Sequence, residues 1–148
     1  MKISTRVELG IVALADIAAH SENGSTVSTS DIAQRQGISQ KYLEQIIVSL
    51  RQGGFVVGQK GSRGGYVLSR SPEKIFLSQV LDALDNTILA DTYEFSDQGD
   101  DIRSWVNGCL WEKLNDYMRS LTGQMSLADL IKEYKANQSQ GEELMYYI

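Results

Sequence analysis

Residues 30–50 (SDIAQRQGISQKYLEQIIVSL) constrain the fold of this chain more than any other stretch. The pattern predicts a helix, a tight turn at Gly37 and a second helix with polar residues on its outer side. Glycine adopts the positive φ that such a turn requires. Ile38, Leu43 and Ile46 supply apolar contacts between the two helices. Because a helix pair of this kind presents its second helix to a major groove, the stretch predicts DNA binding.

Serine residues mark the start of both helices. Ser28 and Asp31 have the spacing of a helix-capping motif, and Ser39 is placed to cap the second helix. Polar side chains on the outer face of that helix can bind base edges or phosphates, although a plain solvated face has the same composition. The residues predicted to contact DNA from this helix are Ser39, Gln40, Lys41, Tyr42 and Glu44.

A β-hairpin is predicted directly after the helix pair. Gly53 and Gly54 end the second helix, and two short β-prone runs are separated by GQKGSRGG. Lys60 and Arg63 lie in this glycine-rich tip, where they are predicted to neutralise phosphates or probe the minor groove. The segment lacks the spacing of a phosphate-binding loop and opens no helix. A helix-turn-helix with a basic-tipped hairpin predicts a winged helix.

The charge distribution explains how an acidic chain could bind DNA. The 148 residues carry a net charge of −5. Residues 1–80 hold nine Lys/Arg against six Asp/Glu, whereas residues 81–148 hold five against thirteen. Phosphate attraction is local, so a basic half can bind while the acidic half faces away.

Composition predicts a cytoplasmic protein of one domain, or of one domain and a helical extension. The apolar fraction of 42% suffices for a core, and no long apolar run or secretory signal is present. The single cysteine, Cys109, excludes an intrachain disulfide and an all-cysteine metal site within one chain. No partnered group of His, Cys or carboxylate residues predicts an enzyme, so no catalytic residue, metal or cofactor is assigned.

The remaining segments predict helices. Apolar spacing indicates an amphipathic helix over residues 3–20, with His20 as a solvated cation at its end. A short helix follows Pro72 at residues 77–84, and residues 90–101 are predicted to form a mobile acidic loop. A final helix is predicted from Ser126 to Lys135.

A long helix over residues 101–121 predicts a homodimer. Its apolar residues cover more than one side, and Trp111 lies roughly opposite Ile102. A helix of that kind needs more than one partner surface, and a second copy of the chain is the obvious one. A dimer also suits a palindromic operator. The predicted interface comprises Ile102, Trp105, Val106, Cys109, Leu110 and Tyr117.

The chain is predicted to end in an apolar tail on a polar linker at residues 136–141. Two interpretations remain open for this end: it packs on the protein's own dimer, or a partner protein captures its carboxylate. The tail residues in question are Met145, Tyr146, Tyr147 and Ile148. The fold class is thus mainly α with a small β-hairpin, divided into a winged helix-turn-helix domain (1–72), a linker and helical dimerisation region (73–137) and a C-terminal tail (138–148).

Several segments resemble the winged-helix regulator family that includes IscR, NsrR and RirA. They are MKIST, QGISQKYLEQ, LRQGGFV, KGSRGGYVL, LWEKLNDYM and MSLADLI. The resemblance implies a DNA-binding regulator in which Lys2 and Arg6 lie near phosphates. The family usually follows MKIST with a basic-Gly-Arg-Tyr segment, whereas Glu8 stands here in place of a cation. That departure puts the operator affinity or operator sequence in doubt.

The resemblance also raises the question of an iron–sulfur cluster. Some members of the family hold one on three cysteines at the loop and the start of the long helix, but residues 90–108 contain no cysteine here. One thiolate cannot hold a cluster, and two chains supply only two. Cys109 also falls on an apolar stripe, where a buried structural thiol is the commoner case. An iron–sulfur or thiol-redox sensor of the same fold is the alternative.

Among the family, the chain most resembles the cluster-free, CymR-like repressors of cysteine metabolism, whose closing residues are similar. This resemblance implies repression of sulfur-assimilation genes and a complex with cysteine synthase, whose active site accepts an isoleucine-terminated tail. An alternative of another class is a protein-binding winged helix that never touches DNA.

Overall fold

The computed structural model describes residues 3–90 and 101–146, and Asp101 and Tyr146 are described by their backbone alone. This part of the chain is mainly helical with one two-stranded antiparallel sheet, which confirms the predicted fold class. Within it, no helix has both the length and the apolarity to cross a membrane. In chain order the elements are α1 (Thr5–His20), α2 (Thr29–Gln36), α3 (Gln40–Gln52), β1 (Val56–Gln59), β2 (Gly65–Leu68), a 3₁₀ turn (Pro72–Lys74), α4 (Leu77–Leu84), α5 (Asp101–Val106), a π-helical segment (Asn107–Trp111), α6 (Glu112–Gln124) and α7 (Leu127–Tyr146).

The central helix α1 is packed on several sides. The Ser4 hydroxyl accepts a hydrogen bond from the Val7 amide at 3.4 Å and caps the helix. A Cβ at Gly10 would lie 2.5 Å from Leu84, so α1 and α4 approach closely at that glycine. Leu14 and Ile17 are fully buried. The core around them is formed by Val7, Ala13, Ala18, Val27, Ile32, Ile38, Leu43, Ile46, Ile47, Leu50, Phe55, Val56, Ile75, Val80, Leu84, Leu127 and Ile131.

The predicted hairpin is present with slightly shifted strands. Val56 pairs with Leu68 and Gln59 with Gly65 in an antiparallel register. Phe55 precedes the first strand and is buried in the core. The sheet is therefore held to the helical core at its open end, and its tip projects away from that end.

A short backbone pairing joins the winged domain to the end of the long helix. The Leu77 amide donates to the Met125 carbonyl at 3.0 Å, and the Leu127 amide donates to the Ile75 carbonyl at 2.8 Å. These bonds place the start of α7 beside the start of α4. From there α7 runs back along α1, where Leu127 and Ile131 enter the core.

The long helix predicted at residues 101–121 is confirmed and extends to Gln124. It comprises α5, the π-helical segment and α6, which follow one another without interruption. A π-helical segment inserts wider turns and rotates the faces of the helix on either side of it. The sequence contains no signal for that segment. The acidic loop predicted at residues 90–101 falls mostly on residues 91–100, which lie outside the described residues.

The predicted polar linker at residues 136–141 is wrong. Helix α7 does not end at Lys135 but continues through this segment to Tyr146. Ala136, Gln138 and Gln140 are good helix formers, which favours a helix even without an apolar stripe, although Asn137, Ser139 and Gly141 are weaker ones. Side-chain bonds one turn apart add support: Gln138 donates to the Tyr134 hydroxyl at 2.6 Å, and Ser139 to the Lys135 carbonyl at 3.2 Å.

Candidate nucleic-acid interface

The turn between α2 and α3 has the geometry that its sequence predicts. Gly37 adopts φ +64°, and its amide and that of Ile38 both donate to the Ala33 carbonyl. Ser28 caps α2 by accepting from the Asp31 amide at 3.1 Å. Ser39 caps α3 by accepting from the Tyr42 amide at 3.3 Å. Together these bonds fix where the second helix begins.

One side of α3 is buried and the other is polar and exposed. Leu43, Ile46, Ile47 and Leu50 point into the core, as predicted. The residues predicted to contact DNA lie on the other side: Ser39, Gln40, Lys41 and Glu44 are exposed, and Tyr42 is half-buried. Gln40 donates to a Glu44 carboxylate oxygen at 3.5 Å, so a long hydrogen bond joins two of these side chains.

The start of α1 is connected to α3. The exposed guanidinium of Arg6 donates to the half-buried Ser49 hydroxyl. Arg6 is thereby held beside the C-terminal part of α3, and its role near phosphates stays a prediction. Glu8 is exposed on the same helix. Lys2 lies outside the described residues.

The hairpin tip is short, exposed and cationic. Lys60 and Arg63 are both exposed. Gly61 has φ +128°, and its carbonyl accepts from the Gly64 amide at 2.9 Å, which closes the turn. Arg63 therefore lies within a four-residue turn, and Lys60 directly precedes that turn.

The wing is attached to the helix-turn-helix just before α2. Val27 and Tyr66 exchange two backbone hydrogen bonds of 2.9 and 2.8 Å. A Cβ at Gly65 would lie 2.7 Å from the Val27 carbonyl oxygen, so this contact requires glycine. The Thr26 hydroxyl donates to the Arg63 carbonyl. Two candidate DNA-binding elements, the wing and the helix pair, are thus joined by direct bonds.

A buried charged cluster behind α2 was not predicted. Asp16, on the inner side of α1, accepts hydrogen bonds from Arg35 and Gln36 at the end of α2. Burial alone would raise the pKa of Asp16, but the hydrogen bonds and positive charge of Arg35, with lesser contributions from Gln36 and His20, lower it below the ordinary value. His20 contacts the Asp16 backbone carbonyl through Nδ1 at 2.8 Å. The sequence signal that could have revealed this cluster is Asp16, a charged residue within the otherwise apolar run Ala13–Ala18.

The predicted dimer-interface residues are exposed in the single chain. They form an apolar surface on α5, the π-helical segment and α6, with Trp105 70% and Tyr117 69% exposed. The other predicted members, Ile102, Val106, Cys109 and Leu110, are exposed as well. Cys109 is free and exposed in the single chain, so the predicted buried thiol requires the dimer to cover it. Leu114 and Leu121 extend the same apolar surface.

The C-terminal residues are only partly described. Met145 is 79% exposed near the end of α7, and the backbone of Tyr146 is helical. Tyr147 and Ile148 lie outside the described residues. The tail is therefore helical as far as Tyr146 and does not follow a polar linker.

Known proteins resemble this chain over most of its length. Residues 3–133 match the Rrf2 family, described as an iron-dependent transcriptional regulator. The transcriptional regulator IscR of Xenorhabdus nematophila is 35% identical over 134 residues, which cover 89% of this chain and 80% of that protein. The structure of CymR, the global cysteine regulator of B. subtilis, has a TM-score of 0.77 at 27% identity, covering 90% of this chain and 98% of that one. IscR of T. potens has a TM-score of 0.75 at 32% identity, covering 93% and 91%.

The family is described as iron-dependent, but this sequence has fewer cysteines than an iron–sulfur cluster requires. Cys109 is the single cysteine of the sequence, and an iron–sulfur cluster requires four ligands, most of them thiolates. Among residues 3–90 and 101–146, no group of three or more His, Cys, Asp or Glu side chains could hold a metal ion. The relatives are transcriptional regulators, which confirms the prediction of a regulator rather than an enzyme. By sequence and by fold, the chain belongs to the Rrf2 family of DNA-binding transcriptional regulators.

Proposed function

We propose that this chain is a dimeric repressor that binds a palindromic operator through α3 and the hairpin tip. The observation that carries the proposal is the pairing of two features. The polar side of α3 is exposed beside a capped turn, and a cationic wing is bonded to Thr26 and Val27, directly before the helix pair. A wing bonded in this way moves with the helix pair, so both contact the same duplex.

The proposed roles follow from side-chain chemistry. Gln40 and Lys41 lie in the first turn of α3, where a recognition helix contacts base edges. Gln can pair with adenine, and Glu44 can accept from a cytosine amino group once its long bond to Gln40 is given up. Ser39 and Tyr42 border this group. Arg6, Lys2, Lys60 and Arg63 supply phosphate contacts, which orient the protein without reading sequence.

The dimer is proposed from the apolar surface on the long helix. Tryptophan, tyrosine and leucine side chains that are 45–70% exposed recur along this one helix, and exposed apolar patches of this kind mark interaction sites. A second copy of the same surface would cover it, since most oligomers are symmetric. Two recognition helices related by a two-fold axis then match a palindromic site.

The regulated genes are proposed to be those of cysteine and sulfur metabolism, and regulation is proposed to proceed without a cluster of the protein's own. Support comes from the similarity to CymR, described as a global cysteine regulator, and from the single cysteine. IscR relatives are similar at comparable levels, so genome-wide binding with and without cysteine in the medium tests this point. We expect sulfur-assimilation promoters to be released when cysteine is scarce. Promoter occupancy that is the same with and without cysteine would contradict this assignment.

The experiment that tests DNA binding begins by selecting an operator from a random pool of duplexes. We expect Lys60→Ala combined with Arg63→Ala to weaken operator binding. Each phosphate contact contributes about 0.9 to the slope of log K against log salt, so the slope should become shallower by about two. Lys113→Ala combined with Lys132→Ala removes the same charge from α6 and α7 and is the matched control. An unchanged slope in the wing variant would contradict the role of the wing.

The cysteine synthase partner is proposed for the C-terminal end. The described part of this end differs from the predicted polar linker, because α7 extends through Met145 to Tyr146. Tyr147 and Ile148 lie outside the described residues. Deleting these two residues should abolish association with cysteine synthase in a pull-down while leaving operator affinity intact. Survival of the complex after the deletion would show that the tail is not the binding element.

A thiol-redox sensor is a second candidate because Cys109 is free and exposed on the long helix. A regulator of that kind would lose operator affinity on peroxide treatment, and Cys109→Ser would abolish the response. A cluster-bearing sensor predicts instead a coloured, iron-containing protein after anaerobic purification. The proposed repressor predicts a colourless protein whose operator affinity is the same for Cys109→Ser and wild type.

A further inference from the structure

An ion pair between a buried carboxylate and a partly exposed guanidinium joins the middle of α1 to the last turn of α2. The Asp16 residue is 4% exposed. Arg35 donates to both carboxylate oxygens, from Nη2 at 2.7 Å and from Nε at 3.0 Å. Gln36 donates to Oδ2 at 2.8 Å. The carboxylate is therefore gripped by three donors from two consecutive residues of one helix.

Such a pair is poorly explained as a source of stability. The Asp16 carboxylate is fully buried, whereas the Arg35 side chain is 36% exposed. The cost of desolvating the carboxylate offsets much of the attraction, which water weakens on the arginine side. Its distinctive property is geometric. A guanidinium that bonds both oxygens of a carboxylate fixes the distance and the relative plane of the two groups. The pair therefore adds a directional constraint on the orientation of α2 against α1 to the packing of the surrounding core.

The position of the pair connects that orientation to the recognition helix. Arg35 and Gln36 directly precede Gly37, and only Ile38 and Ser39 separate Gly37 from α3. A shift at the end of α2 thus moves the first turn of α3, where Gln40 and Lys41 are exposed. Helix α1 is also the element on which α7 packs. A cavity of about 470 Å³ lies between them, with Asp16, Gln36 and Tyr134 among its lining residues.

We propose that Asp16 is a positioning residue for operator recognition, and that its carboxylate holds Arg35 and Gln36 so that the first turn of α3 meets the base edges. Asp16 itself touches no DNA in this arrangement, because it lies on the buried side of the helix pair. The inference rests on the proposed DNA-binding function and adds to it a residue behind the interface. According to this proposal, loss of the bonds between Asp16 and Arg35 lowers the preference for the operator sequence and leaves the attraction to phosphates unchanged.

The test compares Asp16→Asn with Glu22→Gln. Both variants replace a carboxylate by its amide and raise the net charge by one, but Glu22 forms an exposed ion pair with Lys135. Operator and random-duplex affinities are measured at one salt concentration, below the unfolding temperature of each protein. We expect the operator affinity of Asp16→Asn to fall on the order of tenfold, which matches typical interaction energies between residues in contact. Its affinity for random duplexes should be retained. Glu22→Gln should retain both affinities.

Amide hydrogen exchange provides a second readout. In Asp16→Asn the turn at residues 37–39 and the first turn of α3 should exchange faster, while the hairpin retains its protection. A folded Asp16→Asn with the wild-type ratio of operator to random-duplex affinity would overturn the positioning role.

A milder variant keeps the proposal testable if Asp16→Asn does not fold. Gln36 is exposed, and Gln36→Ala removes one of the three hydrogen bonds to the carboxylate. We expect a selective loss of operator affinity of about threefold, as for one hydrogen bond. Wild-type affinity for Gln36→Ala would then overturn the proposal. A wild-type chain that shows no preference for the operator over random duplexes would contradict the proposed function itself. Failure of the positioning role can therefore be distinguished from failure of the proposed function.

Discussion

At the scale of single residues, Asp16 shows how one charged group is accommodated in an apolar helix face. Its neighbours Ala13, Leu14, Ile17 and Ala18 are buried, so an unpaired carboxylate there would be costly. Arg35 and Gln36 satisfy it, and together with the charge of His20 they lower the pKa of Asp16 despite burial. The fixed hydrogen bonds to the carboxylate are available only while Asp16 is ionised.

The lowered pKa predicts a component of acid lability. A carboxylate whose pKa is lower in the folded protein contributes stability above its unfolded value, near 3.8. That contribution is lost as the pH falls through the folded pKa, because the folded state must then take up the proton. Urea unfolding between pH 6 and pH 2.5 should show a steeper loss of unfolding free energy for wild type than for Asp16→Asn. Parallel curves would contradict the lowered pKa.

Gly37 is a second residue whose conformation makes a specific prediction. Its φ of +64° is unfavourable for residues with a Cβ, although nothing lies within 4 Å of the Cβ position. Gly37→Ala should therefore destabilise the protein by about 1 kcal/mol through backbone strain alone. Gly37→Asn should cost less, because asparagine tolerates this conformation better. Equal losses for the two variants in urea unfolding would point to a steric cause instead.

At the scale of elements, α7 is where the structure departs most from expectation. Residues 136–141 are polar and have no apolar periodicity, a composition shared by linkers and by solvated helices. The structure shows a helix, stabilised by propensity and by bonds between side chains one turn apart. Met145 is exposed near the described end of this helix. A partner that binds Met145 would therefore contact a helix rather than an extended linker.

Gly141 provides a test of that helix. It lies in the interior of α7 with no atom within 4 Å of its Cβ position. In a helix, Gly141→Ala should stabilise the protein by about 0.5–1 kcal/mol and increase its helical circular dichroism. In a disordered linker, the same change would leave both quantities unaltered, and that outcome would contradict the continuous helix.

The elements that sequence predicts well are those specified by neighbouring residues. The helix pair follows from apolar spacing, from serine caps at Ser28 and Ser39 and from Gly37, which are all local signals. The hairpin follows from two β-prone runs around glycine-rich residues. The Asp16–Arg35 pair could not be predicted in this way, because 19 residues separate its partners and only the tertiary fold brings them together. The π-helical segment has no local signal.

At the scale of the whole molecule, the charge split and the apolar surface imply that the two halves of the chain have different roles. The winged half carries a net positive charge, and the C-terminal half carries negative charge with an exposed apolar stripe. Negative charge near a duplex would be repelled, so the acidic half is best placed away from DNA. In the proposed dimer, its apolar stripe faces the second copy of the chain, and the two winged halves face the operator.

The proposed dimer predicts the effect of one surface substitution. Trp105 is exposed in the single chain, so Trp105→Glu should change the stability of an isolated chain by no more than about 0.5 kcal/mol. In the dimer it would bury a charge, and we expect the variant to sediment as a monomer and to lose operator affinity. Met145→Glu introduces the same charge at an exposed apolar residue of α7 and should remain dimeric. A dimeric Trp105→Glu would exclude Trp105 from the interface.

The most direct test of the account is a titration of the selected operator and a scrambled duplex of the same length with the wild-type chain at physiological salt. We predict two chains per operator and a preference on the order of a thousandfold or more over the scrambled duplex. Gln40→Ala combined with Lys41→Ala should remove most of that preference and leave weak, salt-dependent binding to both duplexes. Equal affinity of the wild-type chain for both duplexes, at every salt concentration, would contradict the claim that α3 reads DNA sequence.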